Sequence, residues 1–218
     1  MIVLEQQEGN LSSTIELNTL FNLDTLIEFL VGISLSAAAG FRVFVPLLVL
    51  SVASVFGHLD LPTEFDWLES PQSMAVLAVA CLVEISGYYI PWLDHLLDTV
   101  ATPAAFVAGT IVAASFAPEM NPLVQWTLAL IAGGGTAGLT KGLMNILRLT
   151  STGISGGITN PVLSTIELLS AVGLSVLAIA FPILTGIIVI GFLIFAIQRI
   201  WRLLKSKPSC QTNESIST

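Results

Sequence analysis

The sequence is poor in charge, and above all in positive charge. Only 10% of its 218 residues are charged, with 7 Lys and Arg against 15 Asp and Glu. Four of these bases lie between Arg199 and Lys207, so the sequence predicts no basic surface that could follow a nucleic-acid backbone. Because 54% of the residues are hydrophobic, too little polar surface remains for a water-soluble globule, and we expect the lipid bilayer as the main partner.

Cysteine, histidine and catalytic motifs are also scarce. Cys81 lies in an apolar run and Cys210 in a polar tail, so neither a disulfide framework nor a redox motif is predicted. His58 and His95 are isolated, without the spacing of metal ligands. No nucleophilic triad, P-loop or dinucleotide fingerprint is present. We therefore expect no cofactor, no metal and no enzymatic activity.

Long apolar runs dominate what remains. A helix needs about 20 mostly apolar residues to cross a bilayer, and polar, Gly and Pro clusters divide the chain into about six such segments. The predicted spans are 23–57, 71–90, 96–117, 123–149, 161–181 and 182–204. The predicted fold class is therefore an all-α, polytopic membrane bundle. A single membrane domain at 23–205 is predicted between polar tails at 1–22 and 206–218, which we expect to be disordered.

The positions of the bases predict the orientation. Arg199, Arg202, Lys205 and Lys207 follow the last span, which places the C-terminus in the cytoplasm by the positive-inside rule. With six spans the N-terminus lies there too. We therefore expect a multi-pass protein of the inner cell membrane.

Two of the apolar stretches are too long for one straight span, and each contains small residues where a helix can break. The first break is predicted at Ala37–Arg42 and the second at Gly133–Gly142. A shift that lays Ser36 and Gly40 on Gly134 and Gly138 brings a single cation after each, Arg42 or Lys141. The halves 23–117 and 122–205 then form a 3+3 inverted repeat, an arrangement typical of transporters. The alternative is that small-residue helices resemble one another without common descent.

Two stripes of small residues allow close helix packing. They consist of Gly32, Ser36 and Gly40 in the first half, and Gly134, Gly138 and Gly142 in the second. One interpretation is packing alone. The other is that the stripes hold two broken helices together at the bilayer centre, where unwound carbonyls bind a solute or ion.

Four ionisable residues fall within the predicted spans: Arg42, Glu84, Lys141 and Glu167. A single charge in hydrocarbon costs about 2.5–3.5 kcal/mol by insertion scales, so these side chains are expected to pair with one another or to line water. Pairing of Arg42 with Glu84 and of Lys141 with Glu167 is one solution. Such a network is either purely structural or a polar site for a solute or ion.

Two further polar groups lie on the predicted cytoplasmic side. Asp94 and Asp98 are four residues apart, on one helix face, where they either meet a cation or basic partner or decorate a helix start. A Gly-rich loop follows Arg148 and contains Gly156 and Gly157. It ends at Asn160, the predicted N-cap of the next helix. This loop either binds an anionic headgroup or is a plain helix cap.

Several blocks together resemble a bacterial membrane family, domain-of-unknown-function family 4126. They are the segment 32–48 (GISLSAAAGFRVFVPLL), Leu61-Pro62, Trp67-Leu68, Ser70-Pro71, Glu84, Ile90-Pro91, Leu93-Asp94-His95, Asp98, Thr152-Gly153, Gly156-Gly157, Asn160-Pro161 and Glu167. The resemblance covers about residues 26–205. Many members carry Asp-Lys where this chain has Tyr88-Tyr89, so a lysine partner for Glu84 at that position is in doubt here. The resemblance implies a membrane fold and no particular activity.

The function expected from the sequence is a small transporter or channel-like protein for an unknown solute or ion. Two alternatives stay open: a non-transporting scaffold or assembly protein, and a protein that binds or translocates anionic lipid. Formation of a homo-oligomer is compatible with each of them.

Overall fold

A computed structural model of the chain describes residues 23–59, 61–87, 91–117, 121–156 and 159–205. The side chains at 91–96, 98, 155, 200 and 203–205 are outside that description, as are the predicted tails at 1–22 and 206–218. In the described ranges the chain is helical and forms no strand, so the all-α prediction is confirmed there. The α-helices are α1 Leu23–Phe41, α2 Phe44–Val55, α3 Pro71–Gly87, α4 Pro91–Ala114, α5 Pro122–Leu128, α6 Gly135–Ser155, α7 Asn160–Ala180 and α8 Pro182–Lys205.

Helix α1 is the centre of the bundle. It packs against α4, α6, α7 and α8, and an unbroken run of its residues from Leu30 to Gly40 is buried. Because this run consists of small and aliphatic side chains, several helices approach α1 closely at once. The result is a tightly packed interior built around a helix that the sequence marks by its Gly and Ala content.

Helix α2 and helix α3 form a hydrogen-bonded pair beside this bundle. A 3-10 helix, Thr63–Glu69, connects them and meets α3 at an angle of 65°. The Ser51 hydroxyl donates to the Leu68 carbonyl over 2.6 Å, which ties the end of α2 to this connection. Helix α3 buries only a stripe, Leu77, Cys81, Glu84 and Gly87, and this stripe faces α2.

Among the described residues, three helices are long and apolar enough to cross a membrane, namely α1, α7 and residues Pro182–Arg199 of α8. The 3-10 helix and α3 together provide a fourth if the bent pair counts as one span. Helix α2 has 12 residues and is about 18 Å long, which is short of the roughly 30 Å hydrocarbon core. The described helices are thus consistent with a membrane protein, and the count of six spans stays a prediction.

The two predicted helix breaks have different outcomes. The first is present, because α1 ends at Phe41 and α2 begins at Phe44. The second prediction is corrected: α5 continues through a π-helical turn, Ala129–Gly134, directly into α6, with helical dihedral angles at both junctions. The glycines here do not unwind the helix, because their missing side chains admit α4 and the packing outweighs their low helix propensity, about 1 kcal/mol per residue.

Candidate functional site

A buried ion pair joins helices α6 and α7. The Nη2 atom of Arg148 lies 2.6 Å from the Oε2 atom of Glu167, and the two side chains are 5% and 1% exposed. A charge-assisted hydrogen bond of this length is strong, and burial removes the competing water. The pair forms because Glu167 is on the face of α7 that also buries Ser164 and Ala171 toward the bundle.

A second guanidinium reaches the same turn of α7. The Nη2 atom of Arg42 donates to the carbonyl oxygen of Ser164 over 3.1 Å, and the Arg148 guanidinium lies 3.5 Å from the Ser164 hydroxyl. Arg42 comes from the break between α1 and α2, whereas Arg148 comes from α6. Two cations from distant parts of the sequence therefore converge on one residue, Ser164, which is itself 1% exposed.

The carboxylate of Glu84 lies at the break itself. Its Oε1 atom accepts from the backbone amide of Val43 over 3.0 Å, and its Oε2 atom accepts from that of Phe44 over 3.3 Å. These amides begin α2 and have no partner within the helix, so the carboxylate acts as its cap. Arg42 and Lys141 are close enough to interact electrostatically with Glu84.

All four ionisable residues predicted for the membrane interior are buried: Arg42 at 1%, Glu84 at 5%, Lys141 at 2% and Glu167 at 1% exposure. The structure adds Arg148 to this set. Sequence reasoning grouped Arg148 with the Gly-rich loop that follows it, because the fourth span was predicted to end at Leu149, whereas α6 continues to Ser155. The available signal was spacing, because Lys141 and Arg148 are seven residues apart and therefore share one helix face.

The small-residue stripes make close contacts at most of their positions. A Cβ atom added to Gly40 would lie 2.5 Å from the Cβ of Thr140, and one added to Gly134 would lie 2.6 Å from the Thr110 hydroxyl. A Cβ atom on Gly32 would make a tight contact of 3.3 Å with the Cβ of Phe116, and one on Gly138 an ordinary contact, whereas nothing lies within 4 Å of such an atom on Gly142. The Ser36 hydroxyl bridges α1 and α4, at 2.8 Å from the Gly109 carbonyl.

Two glycines outside the predicted stripes pack more closely than most of those within them. An added Cβ on Gly109 would lie 2.5 Å from the Cβ of Ala137, and one on Gly133 would overlap the Gly109 carbonyl. Gly133 belongs to the π-helical turn and Gly109 to α4. Gly109 continues a stripe of small residues in α4, with Ala101, Ala105 and Ala113 at intervals of four, and this spacing is the signal that could have identified it.

The predicted headgroup loop is shorter than expected. Gly156 ends α6 in the left-handed conformation, with φ of +64°, while Gly157 lies outside the described residues. Asn160 is the first residue of α7 and not its N-cap, a position that Thr159 occupies. The Asn160 side chain instead accepts from the Thr152 hydroxyl over 3.2 Å, which joins the two helix ends. Arg148 lies within α6 and points to Glu167.

The acidic pair is only partly described. Asp94 and Asp98 both fall in α4, as the spacing predicts, but their side chains are outside the described residues. A shared cation or basic partner for them stays a prediction.

An apolar groove lies between α1, α6, α7 and α8. Its volume is about 340 Å³, and its walls include Ala37, Phe41, Thr140 and Leu174. Phe41 and Thr140 directly precede Arg42 and Lys141 in the sequence. The groove is therefore close to the buried charges, although its own surface is almost entirely apolar.

The family model for a domain of unknown function, DUF4126, matches residues 29–202. The chain belongs to this family. No curated protein and no solved structure matches it. The five charged residues that are buried in the described part of the chain, from Arg42 to Glu167, fall within the DUF4126 region, as do the close-packed Gly40, Gly109 and Gly133. The family membership predicted from the sequence blocks is thus confirmed, and it assigns no activity to the site.

Proposed function

We propose that this DUF4126 protein is a small membrane transporter or channel-like protein whose buried charges form a polar site for a solute or ion. The observation that carries the proposal is the 2.6 Å Arg148–Glu167 pair, which lies among apolar helices with Arg42 one helical turn away at Ser164. Charged residues within membrane helices are costly, and where they occur they commonly mark the path of an ion or substrate. Glu167 and Glu84 are the groups that can take up protons or cations.

The membrane arrangement belongs to the same proposal. Six spans, with both termini in the cytoplasm and the chain in the inner membrane, agree with the four bases between Arg199 and Lys207. Two inverted halves agree with the close contact between the first half, at Gly40 of α1, and the second half, at Thr140 of α6. The site requires no cofactor and carries out no covalent chemistry. Its partners are the bilayer, the solute and, in a homo-oligomer, further copies of the chain.

Flux measurements test the proposal. The purified chain is reconstituted into liposomes that contain a pH-sensitive dye, and proton and alkali-cation fluxes are recorded under imposed gradients. We expect flux with the intact chain and a loss of at least tenfold with Glu167→Gln, which removes the charge and keeps the shape. Glu64→Gln is the matched control because Glu64 is exposed on the 3-10 helix. Absence of flux from folded protein under every gradient would contradict transport of these ions.

A non-transporting scaffold is the second candidate, and the close helix contacts favour it. Gly40, Gly109 and Gly133 leave no room for a Cβ atom, so α1, α4 and α6 are held tightly together. In a scaffold the charges only fix the arrangement of the helices, and no water reaches them.

Thiol labelling distinguishes the two candidates. In a Cys210→Ser background, Ser164→Cys places a thiol between the two guanidiniums, whereas Ser175→Cys places one at an equally buried position of the same helix. A transporter predicts that aqueous thiol reagents modify position 164 and spare position 175. A scaffold predicts that neither position reacts. Cys81 is buried and serves as an internal reference for the folded state.

Lipid handling is a third candidate, supported by the apolar groove of about 340 Å³. An acyl chain in this groove would lie against Phe41, at the end of α1, and Thr140, near the beginning of α6. Native mass spectrometry with anionic and zwitterionic lipids tests this candidate. Loss of lipid adducts in Leu174→Trp, which fills the groove, would support it, and unchanged adducts would eliminate it.

A further inference from the structure

The two buried carboxylates of the site have different hydrogen-bond partners. Both oxygens of Glu84 accept from backbone amides, those of Val43 and Phe44. Glu167 binds Arg148 through Oε2, while its Oε1 atom is buried and has no hydrogen-bond partner within the described part of the chain. Glu84 is therefore engaged with the backbone, whereas Glu167 retains an acceptor for a further ligand.

The contacts of Glu84 fix the beginning of α2. The amides of the first turn of a helix have no intrahelical acceptor, and the helix dipole favours a negative charge beside them. Pro46, in the same turn, has no amide hydrogen. The carboxylate therefore accepts from two of the few backbone amides that this turn leaves without an acceptor. Glu84 belongs to α3, whose buried stripe faces α2, so its side chain holds the break from outside α1 and α2.

Arg42 immediately precedes the amides that Glu84 holds. Its own amide donates to the Ala38 carbonyl over 3.1 Å, as part of the last turn of α1. Its guanidinium reaches the Ser164 carbonyl of α7. The direction of the Arg42 side chain thus depends on the backbone conformation between α1 and α2. Glu84 accepts hydrogen bonds from the two amides that directly follow Arg42, at this junction.

We propose that Glu84 is a positioning residue, whose carboxylate fixes the junction at Arg42 and Val43 and thereby places the Arg42 guanidinium against Ser164. Glu167 is then the acid that meets the transported ion, a role that rests on the proposed function. Arg148 from α6 pairs with Glu167, Arg42 from the junction lies at Ser164 one turn away, and α6 carries a further buried cation, Lys141. Helix α2 carries no charged residue, and α8 carries none before Arg199.

Hydrogen–deuterium exchange of the full chain in lipid nanodiscs tests this assignment without requiring transport. Glu84→Gln keeps one acceptor oxygen and turns an amide group toward the other backbone N–H. A lost hydrogen bond to a charged group corresponds to about a tenfold or larger change in local opening. We expect at least that acceleration in peptides containing Val43 and Phe44, and no change there for Glu167→Gln. Equal exchange in Glu84→Gln and the intact chain would overturn the assignment.

A double-variant comparison tests the connection to Arg42. If Glu84 acts through the junction, the losses in Tm caused by Glu84→Gln and Arg42→Gln are less than additive when the two are combined. The losses in Tm caused by Glu84→Gln and Ser175→Ala are expected to be additive, because Ser175 lies eleven residues beyond Ser164 on α7. Additivity in both pairs would show that Glu84 does not place Arg42. If Glu84→Gln does not fold, Glu84→Asp retains the charge and is measured in the same way.

The liposome flux separates the two proposals. With a conducting protein, Glu84→Gln lowers the flux and leaves its dependence on pH unchanged, whereas Glu167→Gln abolishes that dependence. The reverse pattern overturns the division of roles. A protein that conducts nothing and still shows the exchange pattern refutes the transport proposal alone.

Discussion

The guanidinium of Arg148 and the carboxylate of Glu167 lie 2.6 Å apart in the interior, and they join two helices that follow each other in the sequence. Removal of one member leaves the other charge buried without its partner, whereas removal of both avoids this penalty. The losses of stability caused by removing each member are therefore expected to be strongly non-additive, unlike those of an ion pair at the surface.

Arg148→Met alone is expected to lower the free energy of unfolding by about 3–5 kcal/mol, because the Glu167 carboxylate stays in the interior. The combined Arg148→Met and Glu167→Met variant is expected to lose much less than the sum of the two single variants. Titration with denaturing detergent, followed by tryptophan fluorescence, measures these differences. Equal and additive losses would show that the pair is not coupled.

Gly40→Ala is expected to destabilise the bundle by about 1–3 kcal/mol, because its Cβ atom would lie 2.5 Å from that of Thr140 and 2.6 Å from the Ala137 carbonyl. Gly142→Ala is the matched control, since nothing lies within 4 Å of the added atom. The control is expected to be neutral, or to stabilise by up to about 1 kcal/mol through helix propensity. Thermal unfolding of the two variants in one detergent decides the point, and equal losses would contradict the close approach of α1 and α6.

Ser36→Ala is expected to cost about 0.6–1 kcal/mol, because the hydroxyl lies 2.8 Å from the Gly109 carbonyl of a neighbouring helix. Ser175→Ala is the comparison, since its hydroxyl donates to Ala171 within its own helix. The same detergent titration serves for this pair of variants. A larger loss for the Ser175 variant would be inconsistent with an interhelical role for Ser36.

Glu69→Ala is expected to loosen the connection between α2 and α3. One carboxylate oxygen, Oε1, accepts both from the Ser54 hydroxyl over 2.9 Å and from the Leu61 amide over 3.1 Å. Hydrogen exchange at Leu61 should therefore accelerate by about tenfold or more. Glu64→Ala, at an exposed position of the same 3-10 helix, should leave it unchanged. Identical exchange in both variants would exclude Glu69 as the group that holds the connection.

Much of the site could be predicted from residue type alone. Arg42, Glu84, Lys141 and Glu167 stand out because ions are rare in apolar helices, and all four are buried. The identities of their partners could not be predicted in this way. Glu84 binds two backbone amides, and a sequence pattern does not reveal which backbone group of a distant helix will be free and nearby.

Composition and the length of the apolar runs determined the class of this protein, because too few polar residues exist to cover a soluble globule and helices alone satisfy their own backbone. They also determined the break before Pro46, where Gly40 and the adjacent small residues weaken one long helix. Tertiary structure alone decided the rest. It kept the second glycine run helical by packing α4 against Gly133, and it turned Arg148 inward to Glu167. These outcomes depend on which helix faces come into contact. The free energy of such contacts comes from residues far apart in the sequence, so no single segment predicts it.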